Sequence, residues 1–137
     1  MWTVANSLET RASAEALWAY LADVDNWAVW NDGVDSIELH GPFAPGSEFT
    51  MVTGGDEIRT KIVETTAPTC YIDETGMGDV VVRVVHEITP LPSGSTRLTF
   101  RLEVDGPAAD RLGPEIGPAI SADFPAVMAK LARLAEE

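Results

Sequence analysis

Cysteine and histidine are scarce in this chain of 137 residues. The only residues of these two types are Cys70, His40 and His86. One cysteine permits no internal disulfide and no thiolate cluster, and no pair of these three residues has a recognised ligand spacing. We therefore expect no metal and no disulfide-stapled scaffold. This cysteine usage is typical of a reducing compartment, so a cytoplasmic location is expected.

Long apolar runs and cofactor motifs are also lacking. No uncharged stretch approaches the roughly 18 residues of a membrane span, and no basic region followed by an apolar run opens the chain. The glycine pair Gly54-Gly55 lies between strand-like segments and is not followed by a helix start with Lys-Ser or Lys-Thr, as a phosphate loop requires. No nucleophile elbow is present. We expect no cofactor and no membrane insertion.

Positive charge is scarce as well, with nine basic residues against 22 acidic ones and a formal net charge of −13. The acidic residues are scattered along the chain, and such a field repels phosphate backbones and anionic headgroups. Nucleic acid is therefore not expected as a partner. A role in solubility is enough to explain this net charge, and we favour that role over an acidic docking surface.

The first 35 residues predict one strand and one helix. A loose apolar alternation predicts a strand over Met1–Thr10, and Ser13 is placed to cap a following helix. The apolar stripe of that helix, at i, i+3, i+4 and i+7, comprises Leu17, Tyr20, Leu21 and Val24. The helix is expected to end between Asp23 and Asn26.

The middle of the chain predicts an antiparallel meander. Short segments rich in Val, Ile, Thr and aromatics alternate with Gly, Pro and Ser turn signals. The predicted strands are Asp35–His40, Glu48–Thr53, Glu57–Thr66, Tyr71–Thr75, Val80–Thr89 and Arg97–Val104. Their connections are too short for parallel crossovers, so neighbouring strands must be antiparallel.

A helix period returns from Leu112 onward. Because Gly-Pro pairs interrupt its first part, the regular helix is expected to begin near Pro118, and Pro125 is expected to kink it. A bent helix of this kind would curve over the sheet. No repeat or linker is visible, which predicts a single α+β domain over residues 1–137.

Three tryptophans lie within thirteen residues, at Trp18, Trp27 and Trp30. Large rings mostly pack, so their main expected role is to plug one end of the core. Trp30 is the best candidate among them to line a ligand cavity.

His86 is the one side chain in an apolar strand whose titration range suits proton transfer. The period of two places it on one face with Val84. A histidine that is simply paired inside the core is the alternative, and it is the commoner case. On the preceding strand Tyr71 is the better candidate for a pocket hydroxyl, and Asp73, on the same face, is a weaker one.

Several short motifs occur in an order that resembles the polyketide cyclase/dehydrase group of the START and birch-pollen-allergen-like superfamily. They are Ser13–Trp18, Leu21–Asp23, Trp27, Trp30-Asn31, Pro45–Phe49, Val63-Glu64, His86–Pro90 and Gly94–Thr99. The resemblance covers nearly the whole chain. It implies a helix-grip fold, in which a seven-stranded antiparallel sheet wraps a long C-terminal helix, with short helices after the first strand.

The resemblance also implies an internal cavity for a small, largely hydrophobic metabolite, lipid-like or polyketide-like. The residues expected to line it are Trp30, Met51, Tyr71, His86, Phe100, Phe124 and Met128. One alternative is an enzyme of the cyclase or dehydratase type, with His86 and Tyr71 as an acid-base pair. The other is a protein-interaction module without a ligand. Either a monomer or a homodimer is compatible with the sequence.

Overall fold

The computed structural model describes residues 1–137, and it contains one curved sheet of seven antiparallel strands. The strands are β1 (Trp2–Thr10), β2 (Ser36–His40), β3 (Glu48–Thr53), β4 (Asp56–Thr66), β5 (Cys70–Met77), β6 (Val80–Pro90) and β7 (Thr96–Asp105). Their order across the sheet is β1-β7-β6-β5-β4-β3-β2. Strands β2 to β7 form the predicted meander, and β1 pairs with β7 at one edge.

A two-residue glycine turn determines where β3 ends and β4 begins. Gly54 and Gly55 have φ angles of 57° and 85° and form the two-residue turn between β3 and β4. Such a turn requires positive φ at both central residues, which glycine adopts without steric penalty. It fixes the register in which Thr53 pairs with Asp56.

The segment after β1 forms α1 (Ala14–Ala22) and a short 3₁₀ segment (Val24–Val29). The Ser13 hydroxyl accepts a hydrogen bond of 3.1 Å from the backbone N–H of Ala16, as the predicted cap requires. Leu17 and Leu21 are fully buried. The apolar stripe of α1 therefore faces the core.

The C-terminal region differs in detail from its prediction. It forms two helices, α2 (Ala109–Ser121) and α3 (Phe124–Ala135), so helix begins well before Pro118. Pro114 and Pro118 lie within α2 and are exposed to solvent. Water can therefore donate hydrogen bonds to the carbonyl oxygens that lack an N–H partner because of the prolines. Pro125 lies in the first turn of α3, where no N–H is needed, so it opens a second helix and does not kink a continuous one.

Two glycines let α2 approach the sheet closely. A Cβ added at Gly113 would lie 2.4 Å from the Cβ of Trp2, and one added at Gly117 would lie 2.0 Å from Cζ3 of the same residue. The indole of Trp2 therefore occupies the space that side chains at these positions would need. This contact joins α2 to β1.

The core lies between the inner face of the sheet and the helices. Its larger cluster holds aromatic residues from the 3₁₀ segment and strands β3, β5 and β7, together with α1 and α3. Packing both C-terminal helices over the sheet produces the predicted helix-grip architecture. No helix in the structure combines the length and the hydropathy that a membrane-spanning helix requires.

Candidate functional site

A cavity of about 690 Å³ lies between strands β3 to β7 and helices α2 and α3. Hydrophobic side chains supply 13 of its 23 lining residues, so most of the surface offered to a ligand is apolar. This volume and lining are typical of small-molecule sites. The helix side of the cavity is formed by Ala119 and Ile120 of α2 and by Phe124 and Val127 of α3.

One end of the cavity reaches solvent. Its lining there includes Glu57, Arg59 and Met77 from the β4 and β5 ends, and Asp123 from the junction of α2 and α3, all exposed. The mouth is therefore ringed by charged groups, whereas the deeper part is enclosed by aromatic residues. A ligand would enter between these ends of β4 and β5 and the helix junction.

Five of the seven residues expected to line the cavity do line it. They are Trp30, Met51, His86, Phe100 and Phe124. Met128 does not, because it is buried in the core on a different face of α3 from Val127, which takes the lining position.

Tyr71 does not line the cavity either. Its side chain is fully buried, with ring centroids 5.9 Å from Trp27 and 5.0 Å from Phe43. Its hydroxyl donates a hydrogen bond of 2.7 Å to Oδ2 of Asp73. The tyrosine thus fills the core behind the cavity wall, and Asp73 is the group that it presents to the cavity.

Asp73 lines the cavity although only 7 % of its surface is exposed. Desolvation raises the pKa of its carboxyl to about 7, against the opposing influence of the Tyr71 hydrogen bond. The carboxyl therefore changes charge near neutral pH. Alternation along β5 places Asp73 on the same face as Tyr71, but the sequence favours the tyrosine as the pocket group, whereas the structure brings the shorter Asp73 side chain to the cavity.

His86 is also buried, at 5 % exposure, and its ring lies between Tyr71 and Phe100. Its Nδ1 lies 3.0 Å from the backbone oxygen of Tyr71. Since a carbonyl only accepts, Nδ1 carries the proton and Nε2 carries a lone pair. Burial lowers the pKa of His86 to about 4, opposed by the nearby carbonyls of Tyr71 and Val84. The imidazole is therefore neutral at pH 7.

The sheet register places these two groups on neighbouring strands. Tyr71 pairs with His86, and Asp73 pairs with Val84, so Asp73 and His86 are diagonal neighbours. Such positions are about 7–8 Å apart between Cα atoms, within reach of one small ligand. The hydroxyls of Thr60 and Thr75, 2.8 Å apart, extend the same polar stripe toward the mouth.

Trp30 supplies an unsatisfied donor. Its ring lines the cavity, it is 2 % exposed, and its Nε1 is buried without a hydrogen-bond partner. The neighbouring Trp27, by contrast, donates from Nε1 to the backbone oxygen of Leu21 at 2.9 Å. An unpaired buried donor carries a free-energy penalty that an acceptor on a ligand would remove.

Metal-ligating residues are not gathered anywhere in the chain: no group of three or more His, Cys, Asp or Glu side chains is placed to hold an ion. The cavity instead combines a polar stripe on the sheet with aromatic and aliphatic walls. Such a site orients an organic ligand by a few hydrogen bonds and binds the rest by burial of apolar surface.

Solved structures of proteins from several organisms have the same architecture. Truncated norcoclaurine synthase from Thalictrum flavum superposes with a TM-score of 0.77 at 16% identity, covering 98% of this chain and 93% of that one. A START superfamily protein from Mycobacterium smegmatis gives 0.75 at 19% identity, with 98% and 97% coverage. A protein from Thermobifida fusca gives 0.74 at 22% identity, with 98% and 95% coverage. At these identities the likeness establishes the fold.

Sequence comparison gives a narrower assignment. No curated protein matches this sequence. The family described as "Polyketide cyclase / dehydrase and lipid transport", however, matches residues 1–136, nearly the whole chain. The chain therefore belongs to the polyketide cyclase/dehydrase and lipid transport family.

Proposed function

We propose that this protein binds one small, largely hydrophobic molecule in the cavity between the sheet and helices α2 and α3. The observation that carries the proposal is the cavity itself, about 690 Å³ with mainly apolar walls and a polar stripe on one side. Burial of apolar ligand surface would supply most of the affinity, at roughly 25 cal/mol per Å². Asp73 and His86 would fix the orientation.

The test is titration with the uncharged dye N-phenylnaphthylamine, whose fluorescence rises in apolar surroundings. Val84 lines the cavity, and Val84→Phe places a larger side chain inside it. Thr89→Phe, at an exposed position of the same strand, is the matched control. We expect saturable binding to the wild type and to Thr89→Phe, and an affinity lower by about tenfold or more for Val84→Phe. Equal binding by all three proteins would refute the use of this cavity.

A second candidate function is proton-transfer catalysis in the same cavity, of the kind used in cyclisation or dehydration. Two features favour it: the Nδ1 contact with the Tyr71 carbonyl leaves the lone pair of His86 on Nε2, and burial raises the pKa of Asp73 to about 7. His86 would remove a proton from a carbon next to a ligand carbonyl, and protonated Asp73 would donate one to the carbonyl oxygen. In this scheme Tyr71 holds the Asp73 carboxyl in place and does not touch the ligand.

The enzyme candidate has a separate test. Exchange of the α-protons of tetralone for deuterium, followed by NMR, reports enolisation directly. We expect His86→Gln to slow the protein-dependent exchange by at least about tenfold, because the general base is lost. If the wild type does not accelerate exchange at all, this candidate fails, while dye binding continues to support the carrier function.

A further inference from the structure

Besides the unpaired Trp30 donor, the cavity wall presents hydrogen-bond acceptors on Asp73 and His86. Tyr71 occupies Oδ2 of Asp73, and Oδ1 makes no hydrogen bond within the protein. His86 uses Nδ1 for a backbone oxygen, and its Nε2 makes none. Both residues are more than nine-tenths buried and line the cavity. Two acceptors in the cavity wall therefore have no donor within the protein, and N–H or O–H groups on a ligand would hydrogen-bond to them.

No cation inside the protein compensates Asp73. Arg59 is the only basic residue in the cavity lining; it lies at the mouth, and its Nε is 3.9 Å from Oε1 of Glu48. The mouth also carries Glu57 and Asp123, and the whole chain has a net charge of −13. This field raises the local concentration of cations and lowers that of anions such as fatty-acid carboxylates.

The remaining walls suit the body of an organic cation. Aromatic residues line the cavity on several sides, and these are Trp27, Trp30, Phe49, Phe100 and Phe124. Aromatic faces attract cations through their quadrupoles and bury the apolar part of the same molecule. Acceptors without donors, an uncompensated carboxyl and aromatic walls thus all favour one chemical class.

From this arrangement we infer that the ligand is a small hydrophobic amine, bound as its ammonium form, with N–H groups donating to Asp73 Oδ1 and His86 Nε2. The inference rests on the proposed binding function and specifies its ligand class. The ammonium supplies the donors that both acceptors lack. Its positive charge also pairs with the Asp73 carboxylate, so neither charge is buried without a counter-ion.

Ionisation of Asp73 links this binding to pH. Because burial raises the pKa of Asp73 to about 7, the free protein holds much of this carboxyl in its neutral form below that pH. The titratable groups facing it are Tyr71, whose pKa is raised by burial, and His86, whose pKa is lowered to about 4. The charged groups facing the same region are Glu57 and Arg59 of β4 and Asp123 at the helix junction. Amine binding should therefore strengthen as the pH rises through about 7.

Calorimetry with a matched pair of probes tests the inference: naphthylethylamine, a cation near neutral pH, and naphthylethanol, its neutral counterpart. At about pH 8 and physiological salt we expect the amine to bind the wild type at least about tenfold more tightly than the alcohol. The ratio should fall as the pH is lowered below about 6, because Asp73 becomes protonated. This pH series uses only the wild-type protein.

Two variants separate the local effect of Asp73 from the general acidic field. Asp73→Asn should bring the amine-to-alcohol ratio close to one, whereas Glu115→Gln, at an exposed position of α2, should keep the wild-type ratio. An alcohol that binds as tightly as the amine would overturn the inference, and so would a preference that survives Asp73→Asn. If neither probe binds but the dye does, the amine class is wrong and the binding function stands. If the dye fails too, the proposed function fails with it.

Discussion

The hydroxyl of Tyr71 donates to the carboxylate of Asp73 over 2.7 Å, and this pair joins the protein core to its cavity. Tyr71 is fully buried among aromatic rings, whereas Asp73 lines the cavity. The rigid tyrosine thus fixes one carboxyl oxygen and leaves the other facing the space where a ligand would lie. The site therefore consists of a cavity-facing acid with a supporting residue from the core.

Removing that support should shift the titration of Asp73. The Tyr71 hydrogen bond lowers the pKa of Asp73, so Tyr71→Phe should raise it above about 7. Loss of a buried hydrogen bond should also destabilise the fold by about 1–3 kcal/mol. NMR of the carboxyl carbon against pH measures the first effect and chemical denaturation the second. Tyr20→Phe, which removes a hydroxyl outside this site, serves as the control; an unchanged pKa in Tyr71→Phe would contradict the account.

Asp73 should lower the free energy of unfolding as the pH rises from about 4 to about 7. Its pKa is raised from 3.8 unfolded to about 7 folded, so the folded state holds a proton that the unfolded state has released. Stability is lost as the pH rises through this window. Asp73→Asn should therefore gain stability relative to the wild type between about pH 4 and 7, by about 4 kcal/mol in total. Urea denaturation at a series of pH values measures this difference; a flat difference would show that the carboxyl titrates normally.

His86 should act in the opposite direction. Its pKa is lowered from 6.5 to about 4, so between these values the unfolded state binds a proton that the folded state excludes. The contribution of neutral His86 to the free energy of unfolding is therefore present above about pH 6.5 and is lost as the pH falls toward 4. The His86→Gln variant should therefore be less sensitive to acid than the wild type. The same denaturation series tests this, and an acid profile parallel to that of the wild type would indicate an ordinary histidine.

Gly113 should be intolerant of even a methyl group. A Cβ at this position would lie 2.4 Å from Cβ of Trp2, so α2 or β1 must shift. Overpacking of this kind typically costs about 1–3 kcal/mol, more than the roughly 1 kcal/mol that alanine gains over glycine in a helix. Thermal unfolding of Gly113→Ala should show the loss. Glu115→Ala, exposed two residues later, should stay close to the wild type, and equal stability of both variants would argue against the Trp2 contact.

The sheet was predictable from sequence because its signals are local. In β7 every second residue is apolar, and the structure buries Leu98, Phe100 and Leu102. The turn between β3 and β4 is likewise indicated by its own residues, Gly54-Gly55, which adopt positive φ. The start of α2 was missed because Gly113 and Pro114 resemble helix breakers. They are tolerated for tertiary reasons: the glycine admits Trp2, and the proline faces water.

The candidate site was only partly predictable for a related reason. Alternation places Tyr71, Asp73 and Thr75 on one face, but it does not say which of them reaches an open space and which fills the core. Tyr71 is large enough to occupy the core behind the wall, so the shorter Asp73 becomes the lining residue. That choice depends on packing against Trp27 and Phe43, far away in sequence.

A crystal structure of the protein with N-phenylnaphthylamine tests the central claim most directly. We expect electron density for one dye molecule between the sheet and the C-terminal helices, against Phe100 and Phe124 and beside Asp73 and His86. The contradicting result is dye bound only on the outer surface of the protein, with no electron density for it against Phe100 and Phe124. The cavity would then not be the binding site.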